Sequence, residues 1–244
     1  MDAKLLKEHR VFWVLGGRLR PVKHPSIPDE AALVGFRRQR RLLTQNTLAL
    51  LEGKPFNDAL LWGKKGTGKS TLVRAQLRLS DRLRLVQLDL SGVEFLVEFL
   101  DFLHEVPQLK FILLLEDLSF ESGSLGEVKL LKTLLDGSVI ERPPNAVFYA
   151  TSNRRFLTGP PSSDGPHRRE EEEDLYSLAD RFGLKLGFTD FTKEEYLEAV
   201  KLHASRFGLK FDETLKRKAL EFAAERGYSG RSALQFVKLF ASTL

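Results

Sequence analysis

Two short stretches carry side chains whose types and spacing could do chemistry together. The first is Gly63-Lys64-Lys65-Gly66-Thr67-Gly68-Lys69-Ser70-Thr71, preceded by the apolar run Ala59 to Trp62. Glycines at 63, 66 and 68 permit positive φ and let backbone N–H groups curl round a polyphosphate with no Cβ in the way. Lys69 supplies a mobile positive charge for β- and γ-phosphates, and the Ser70 hydroxyl can ligate Mg²⁺. A helix starting near Lys69 would aim the positive end of its dipole at the anion. Chance produces this spacing in about one chain in a hundred of this length. An apolar strand ahead and helix-forming residues behind make a phosphate-binding loop the reading of choice. The second stretch is Glu116-Asp117, directly after the apolar run Phe111 to Leu115. A carboxylate pair at the end of a buried strand beside the loop strand sits where a metal ion and an attacking water must be. One group would hold the metal through its water shell and the other would orient or deprotonate the nucleophile. Ser70 and Glu116 are the metal candidates.

The elements that must position these groups follow from periodicity. Ala59–Trp62, Leu83–Leu90, Phe111–Leu115, Ala146–Ala150 and Leu184–Phe188 read as strands, several of them continuous apolar runs of the kind covered on both faces. Helical patterns alternate with them, over residues 37–51, 69–79, 94–104, 126–135 and 175–182. Strands and helices in alternation predict a doubly wound, parallel five-stranded α/β sheet. From Thr192 the pattern is purely helical, with three apolar faces: Leu197, Val200, Ala204 and Phe207, then Leu215, Ala219, Phe222 and Ala223, then Ala233, Phe236, Val237 and Phe240. The expected organisation is an N-terminal extension at 1–32, an α/β domain at 33–189 and a small helical lid at 190–244. Val11 to Leu15 reads as a strand candidate within the extension. Residues 158–174, rich in Gly, Pro and Ser and ending in four glutamates, read as a mobile surface loop.

Composition narrows the function classes. The chain has 244 residues, 42% of them hydrophobic, enough for a sizeable core. It has no cysteine, which removes disulfide frameworks and zinc–thiolate sites together. The histidines at 9, 24, 104, 167 and 203 show no metal-ligand spacing and read as structural or exposed. The charged N-terminus and the absence of long apolar runs predict a cytoplasmic protein without membrane contact. A net charge of +5 tolerates a nucleic-acid partner without calling for one. Arg37, Arg38, Arg40 and Arg41 crowd the first turn of a helix, where cations oppose the dipole. They form a basic patch suited to phosphate or nucleic acid, or simply a solvated face.

In motif order, the sequence resembles the AAA+ ATPases over roughly residues 33–240, and more closely a bacterial branch of ATP-binding proteins with no assigned role. Leu33-Val34-Gly35-Phe36 resembles the segment that contacts adenine, which makes Val34 a base contact. Residues 60–70 resemble Walker A and 112–121 resemble Walker B. Tyr149 to Arg155 is similar to the sensor-1 strand, implying that Asn153 helps place the lytic water, with Arg154 and Arg155 in reserve. Leu178 to Leu184 resembles the arginine-finger segment, implying Arg181 as a finger donated to a neighbouring subunit. Tyr228 to Ser232 resembles sensor 2, implying Arg231 at the γ-phosphate. The resemblance implies an AAA+ P-loop NTPase fold, ATP/ADP and Mg²⁺ as ligands, a homo-oligomer, and ATP hydrolysis coupled to remodelling of an unidentified protein or nucleic-acid client. The family's usual carboxylate order is Asp then Glu, reversed here at Glu116-Asp117. The segment Leu90-Ser-Gly-Val-Glu-Phe95 lacks the aromatic loop of protein-threading members. Both departures point to a slow-turnover, ATP-gated switch or loader as the alternative. A small-molecule kinase fits less well, because the helical lid with Arg231 leaves no evident phosphoryl-acceptor pocket.

Overall fold

The computed structural model describes residues 1–29, 33–118, 125–137, 141–153 and 176–242. The loop expected at 158–174, together with Arg154 and Arg155, lies outside the described residues. Seven strands form one sheet: β1 (Val11–Leu15), β2 (Arg18–Pro21), β3 (Ala59–Gly63), β4 (Leu83–Leu88), β5 (Lys110–Leu115), β6 (Ala146–Ser152) and β7 (Leu184–Phe188). Their order is β2-β1-β4-β5-β6-β3-β7. Every pairing is parallel except the β1–β2 hairpin. The expected five strands thus occupy β3 to β7, and the expected N-terminal extension adds two more beside β4. The hairpin turns on Gly16 and Gly17, at φ 55° and 66°, the paired left-handed positions of a two-residue turn.

The central strands are apolar because both faces are covered. Along β5, Phe111, Leu113 and Leu115 enter one core cluster while Ile112 and Leu114 enter the other. The first face carries α1 (Ala3–Glu8), α4 (Phe95–Leu103) and α5 (Leu125–Asp136), through Leu6, Phe99 and Leu131. The opposite face carries α2 (Arg37–Glu52) and α3 (Lys69–Ala75), through Leu43, Leu50 and Leu72. A third cluster belongs to α6 (Lys193–Arg206), α7 (Glu213–Arg226) and α8 (Gly230–Ala241), built on Tyr196, Val200, Leu215, Ala219, Phe236 and Val237. Each of these helices has its own start signal. Thr192 and Ser229 form capping boxes with Glu195 and Ser232, and Asp212 accepts from the Leu215 N–H. Phe207 leaves the expected apolar face and is 45% exposed, because α6 stops one residue earlier.

Buried arginine chemistry fastens the N-terminal segment to the sheet. Arg84 is 5% exposed, and its guanidinium donates to the carbonyls of Leu6, Lys7, Asp81 and Leu83. Leu6 and Lys7 lie in the last turn of α1, where a cation complements the helix dipole. Arg10 adds bonds to the Leu77 and Ser80 carbonyls and to Asp81. Removing the Arg84 side chain leaves several buried carbonyls without a donor. We therefore expect Arg84→Ala to lower stability by about 3 kcal/mol in urea unfolding, against about 0.5 kcal/mol or less for exposed Arg18→Ala.

Candidate nucleotide-binding site

A cavity of about 650 Å³ opens where the C-terminal ends of β3, β5 and β6 meet the lid helices α6 and α8. The loop between β3 and α3 forms its floor. Gly63 has φ 128°, and a Cβ there would stand 2.0 Å from the Phe188 carbonyl oxygen, so β7 approaches too closely for any side chain. Gly66 has φ 85°, and a Cβ there would press on the Arg231 Cβ at 3.0 Å. The Thr67 hydroxyl closes the loop by donating to the Lys64 carbonyl at 2.8 Å.

Lys69 is the most constrained cation of the site. Only 6% exposed, its ammonium donates to the carbonyls of Gly63 at 2.7 Å and Lys64 at 2.8 Å, and to Asn153 Oδ1 at 3.2 Å. Burial lowers its pKa to about 8; the Asp117 carboxylate pulls it up and the Arg231 guanidinium pushes it down. Asn153 Nδ2 in turn donates to Asp117 Oδ1 at 2.6 Å. The Asp117 N–H donates to Thr151 Oγ1 at 3.1 Å, from a backbone in the left-handed region at φ 54°. Glu116 stands outside this chain of bonds, accepting from Gln87 Nε2 on β4 at 2.9 Å. Ser70 and Thr71 line the same cavity at the start of α3.

The lid closes over this floor. The Arg231 N–H, in the first turn of α8, donates to the Gly66 carbonyl at 3.3 Å, and its exposed side chain lines the cavity. Val34, Leu33, Phe191, Ala199 and Leu234 add apolar side chains to the lining, with Leu33 next to Gly68 of the floor. A cavity lined by both apolar side chains and cations suits a ligand with an apolar base and phosphates. Among the described residues no group of three or more His, Cys, Asp or Glu is arranged to hold a metal ion. A magnesium ion carried in with phosphates needs only one or two protein oxygens besides.

Most of the expected residues converge here, and three do not. Lys65, Gly66, Thr67, Gly68, Lys69, Ser70 and Thr71 line the cavity, as do Val34, Glu116, Asp117, Asn153 and Arg231. Gly63 lies behind the floor, contributing its carbonyl to Lys69. Lys64 turns away to Asp190, at 2.8 Å, in the linker between β7 and α6. Arg181 lies outside the cavity, its Nε and Nη2 bound to Asp136 at 3.0 and 2.8 Å and its Nη1 to Ser177. Sequence reasoning missed Gln87, Thr151, Arg74 and Arg206 as wall residues, and read His203 as merely structural or exposed. Gln87 and Thr151 were findable as polar residues late in otherwise apolar strands, the end where such sheets bind ligands. His203 and Arg206 arrive from the lid helix α6, and only its tertiary placement brings them in.

Counting the loop strand β3 as the first, the parallel strands from β7 to β4 run in the order 5-1-4-3-2. That sheet, followed by three helices, is an α/β fold of the AAA+ P-loop type. Solved structures agree. The chain is similar to a mutant of Thermotoga maritima RuvB at 19% identity and TM-score 0.60, covering 84% of this chain and 62% of that one. It is similar to Aeropyrum pernix ORC1 in complex with DNA at 15% identity and TM-score 0.63, covering 89% and 61%. It is also similar to the replication initiator DnaA bound to AMPPCP and single-stranded DNA at 20% identity and TM-score 0.59, covering 88% and 65%. The chain spans less than two thirds of each of those chains. No curated protein sequence matches it. The chain belongs to the family described as "Protein of unknown function (DUF815)", whose profile matches residues 7–244.

The floor geometry separates two glycines that share a positive φ. Gly137 has open space where a Cβ would go, whereas Gly63 faces a backbone carbonyl. Gly137→Ala should cost only the left-handed strain, about 1–2 kcal/mol. Gly63→Ala should cost at least about 3 kcal/mol, because the β7 backbone must also move. Chemical unfolding of the two variants measures the difference, and equal losses would refute the close approach.

Proposed function

We propose that the chain is a bacterial AAA+ ATPase that binds ATP with Mg²⁺ in this cavity and hydrolyses it within an oligomer, to remodel a protein or nucleic-acid client. The observation that carries this reading is the hydrogen-bonded chain Lys69–Asn153–Asp117, which joins the phosphate-binding loop to the carboxylate end of β5 across one cavity. Lys69 and the backbone of residues 65–71 would hold the β- and γ-phosphates, and Arg231 would meet the γ-phosphate. Ser70 and Glu116 would hold Mg²⁺, which supplies charge neutralisation at the phosphate oxygens when bound. Asp117, oriented by Asn153, is the carboxylate for the attacking water. Val34 and the other apolar lining residues take the base.

In this reading Arg181 completes a neighbour's site. Its ion pair with Asp136 is partly exposed, at 26% and 48% for the two side chains. Such a pair is worth about 0–1 kcal/mol, so it gives way readily to a neighbour's phosphates. An arginine finger contributes on the order of 10³–10⁵ in rate. ATP turnover per subunit should therefore rise with protein concentration and fall at least a hundredfold in Arg181→Ala with ATP binding retained; concentration-independent turnover by a monomer would sink the model. Asp117→Asn should keep ATP bound while abolishing turnover, and Glu116→Gln should weaken the magnesium dependence of binding, both read by nucleotide titration.

A second reading, a slowly cycling ATP-gated switch or loader, rests on a specific feature. The segment after β4 is a short 3-10 turn, Leu90–Gly92, with Leu90 and Gly92 buried and Gly92 packed on Val14, rather than a projecting loop. This argues against threading a polypeptide. Association with nucleic acid would suit exposed Arg37, Arg38 and Arg41 at the start of α2, and structural neighbours were captured with DNA. Among the described residues no helix is long and apolar enough to cross a membrane; a cytoplasmic location is part of the proposal.

Lys69 gives the proposal a pH signature. With its pKa near 8, the ammonium is partly deprotonated in the free protein above that pH. A polyphosphate beside it favours the charged form, so binding must take up a proton there. ATP affinity should fall as pH rises above 8, by up to about tenfold per pH unit. Calorimetry in two buffers of different ionisation enthalpy at pH 9 should show proton uptake that Lys69→Met abolishes.

A further inference from the structure

The β1–β2 hairpin presents a face that the nucleotide site does not use. Along β1, Phe12 and Val14 sink into the core, while Trp13 and Leu15 are each 46% exposed. The register sets Arg20 across from Trp13 and Arg18 across from Leu15. Directly paired residues share a face of the sheet. Trp13 is also in register with Gln87 of β4, which assigns this face to the side bearing α2 and α3. There α3 and the following 3-10 turn (Gln76–Leu79) reach β6 and β4, and leave Trp13 and Leu15 open to solvent. An exposed tryptophan and leucine on β1 thus lie beside a row of two arginines on β2, on one surface.

Charge adds an independent constraint. From His9 to Pro28 the chain contains no Asp or Glu, yet it holds Arg10, Arg18, Arg20 and Lys23. Arg10 is paired with Asp81. Arg18, Arg20 and Lys23 are exposed and take no ion pair with any described residue. A second copy of this face would set the same cations against one another, which disfavours self-association here. An added protein strand at the β2 edge would meet Pro21, which has no N–H to donate. An exposed indole beside arginines that form no ion pair with a described residue suits bases and phosphates instead.

We propose that the β1–β2 face docks single-stranded nucleic acid, with Trp13 stacking on a base and Arg18 and Arg20 neutralising adjoining phosphates. Same-face residues lie about 7 Å apart along a strand and about 5 Å across it, so the patch grips one or two nucleotides and is salt-sensitive. The site is separate from the arginines at the start of α2 and does not depend on ATP hydrolysis.

The test is fluorescence anisotropy of the full chain with a labelled oligothymidylate at about 50 mM salt and above. Trp13→Ala should weaken binding about tenfold or more. The double change Arg18→Gln, Arg20→Gln should reduce the slope of log affinity against log salt by about 1.4. Oligothymidylate should quench tryptophan emission in the wild type and not in Trp13→Phe, where Trp62 alone remains. That quenching and the arginine double change still decide the matter if Trp13→Ala fails to fold. ATP binding, measured in parallel, should be unchanged in all the hairpin variants. No oligonucleotide binding at low salt would overturn the proposal. So would binding lost only on Arg37→Gln, Arg38→Gln, Arg41→Gln, or an acidic peptide displacing the oligonucleotide at lower concentration than a duplex does.

Discussion

A buried ammonium must be surrounded by oxygen atoms, and meeting that need at Lys69 ties the functional end of the molecule together. Two of its acceptors are carbonyls of its own loop, at the end of β3, and the third is the Asn153 amide after β6. Asn153 is used in both directions, accepting from Lys69 and donating to Asp117. Its amide orientation is thereby fixed, and so is the distance between the loop and the end of β5. The arrangement is still short of negative charge. Lys65, Lys69, Arg74, Arg206 and Arg231 line the cavity, against Glu116 and Asp117. A cleft with such an excess concentrates anions before any specific contact forms.

The same loop carries the contact with the lid. Gly66 accepts from the Arg231 N–H, and Lys64 is paired with Asp190 in the linker leading into α6. On the apolar side, Phe36 packs at 4.6 Å from Phe188 of β7 and 5.7 Å from Phe191 of the linker. One ring therefore spans the sheet core and the lid core, and it does so from a left-handed backbone position that also opens α2. A non-glycine residue at positive φ is strained, so packing on two aromatic neighbours has to offset that strain.

What was legible in the sequence follows the range of the interactions involved. The loop at 63–71 and the strands at 111–115 and 146–150 are written in local spacing and continuous apolar runs. The lid helices announce themselves through Thr192, Asp212 and Ser229 as caps. The joining of β1 to β4 was not legible, because parallel pairing between Val11–Trp13 and Leu85–Gln87 leaves no local trace. Gly16-Gly17 was a hairpin signal that could have been read. Arg181 illustrates the other limit. Its partner Asp136 is forty-five residues away, and no motif encodes that pair.

The order of the two carboxylates has a backbone reason that the motif comparison hides. At the end of β5 the chain must leave the sheet beside β6, and it does so through position 117 at φ 54°. That conformation is several-fold more accessible to Asp and Asn than to residues with longer side chains, because a short polar group can hydrogen-bond locally. Asp117 holds that conformation with tertiary bonds, its carboxylate accepting from Asn153 and its N–H donating to Thr151. Glu116 keeps strand-like geometry, its N–H still bonded to the Leu88 carbonyl. Its extra methylene lets the carboxylate reach Gln87 on the adjacent strand. Glutamate at the straight position and aspartate at the left-handed one is the assignment that costs the backbone least. The reversed order is then a property of how this strand ends, and the chemistry at each position has to be judged from where its oxygens lie rather than from its place in a motif.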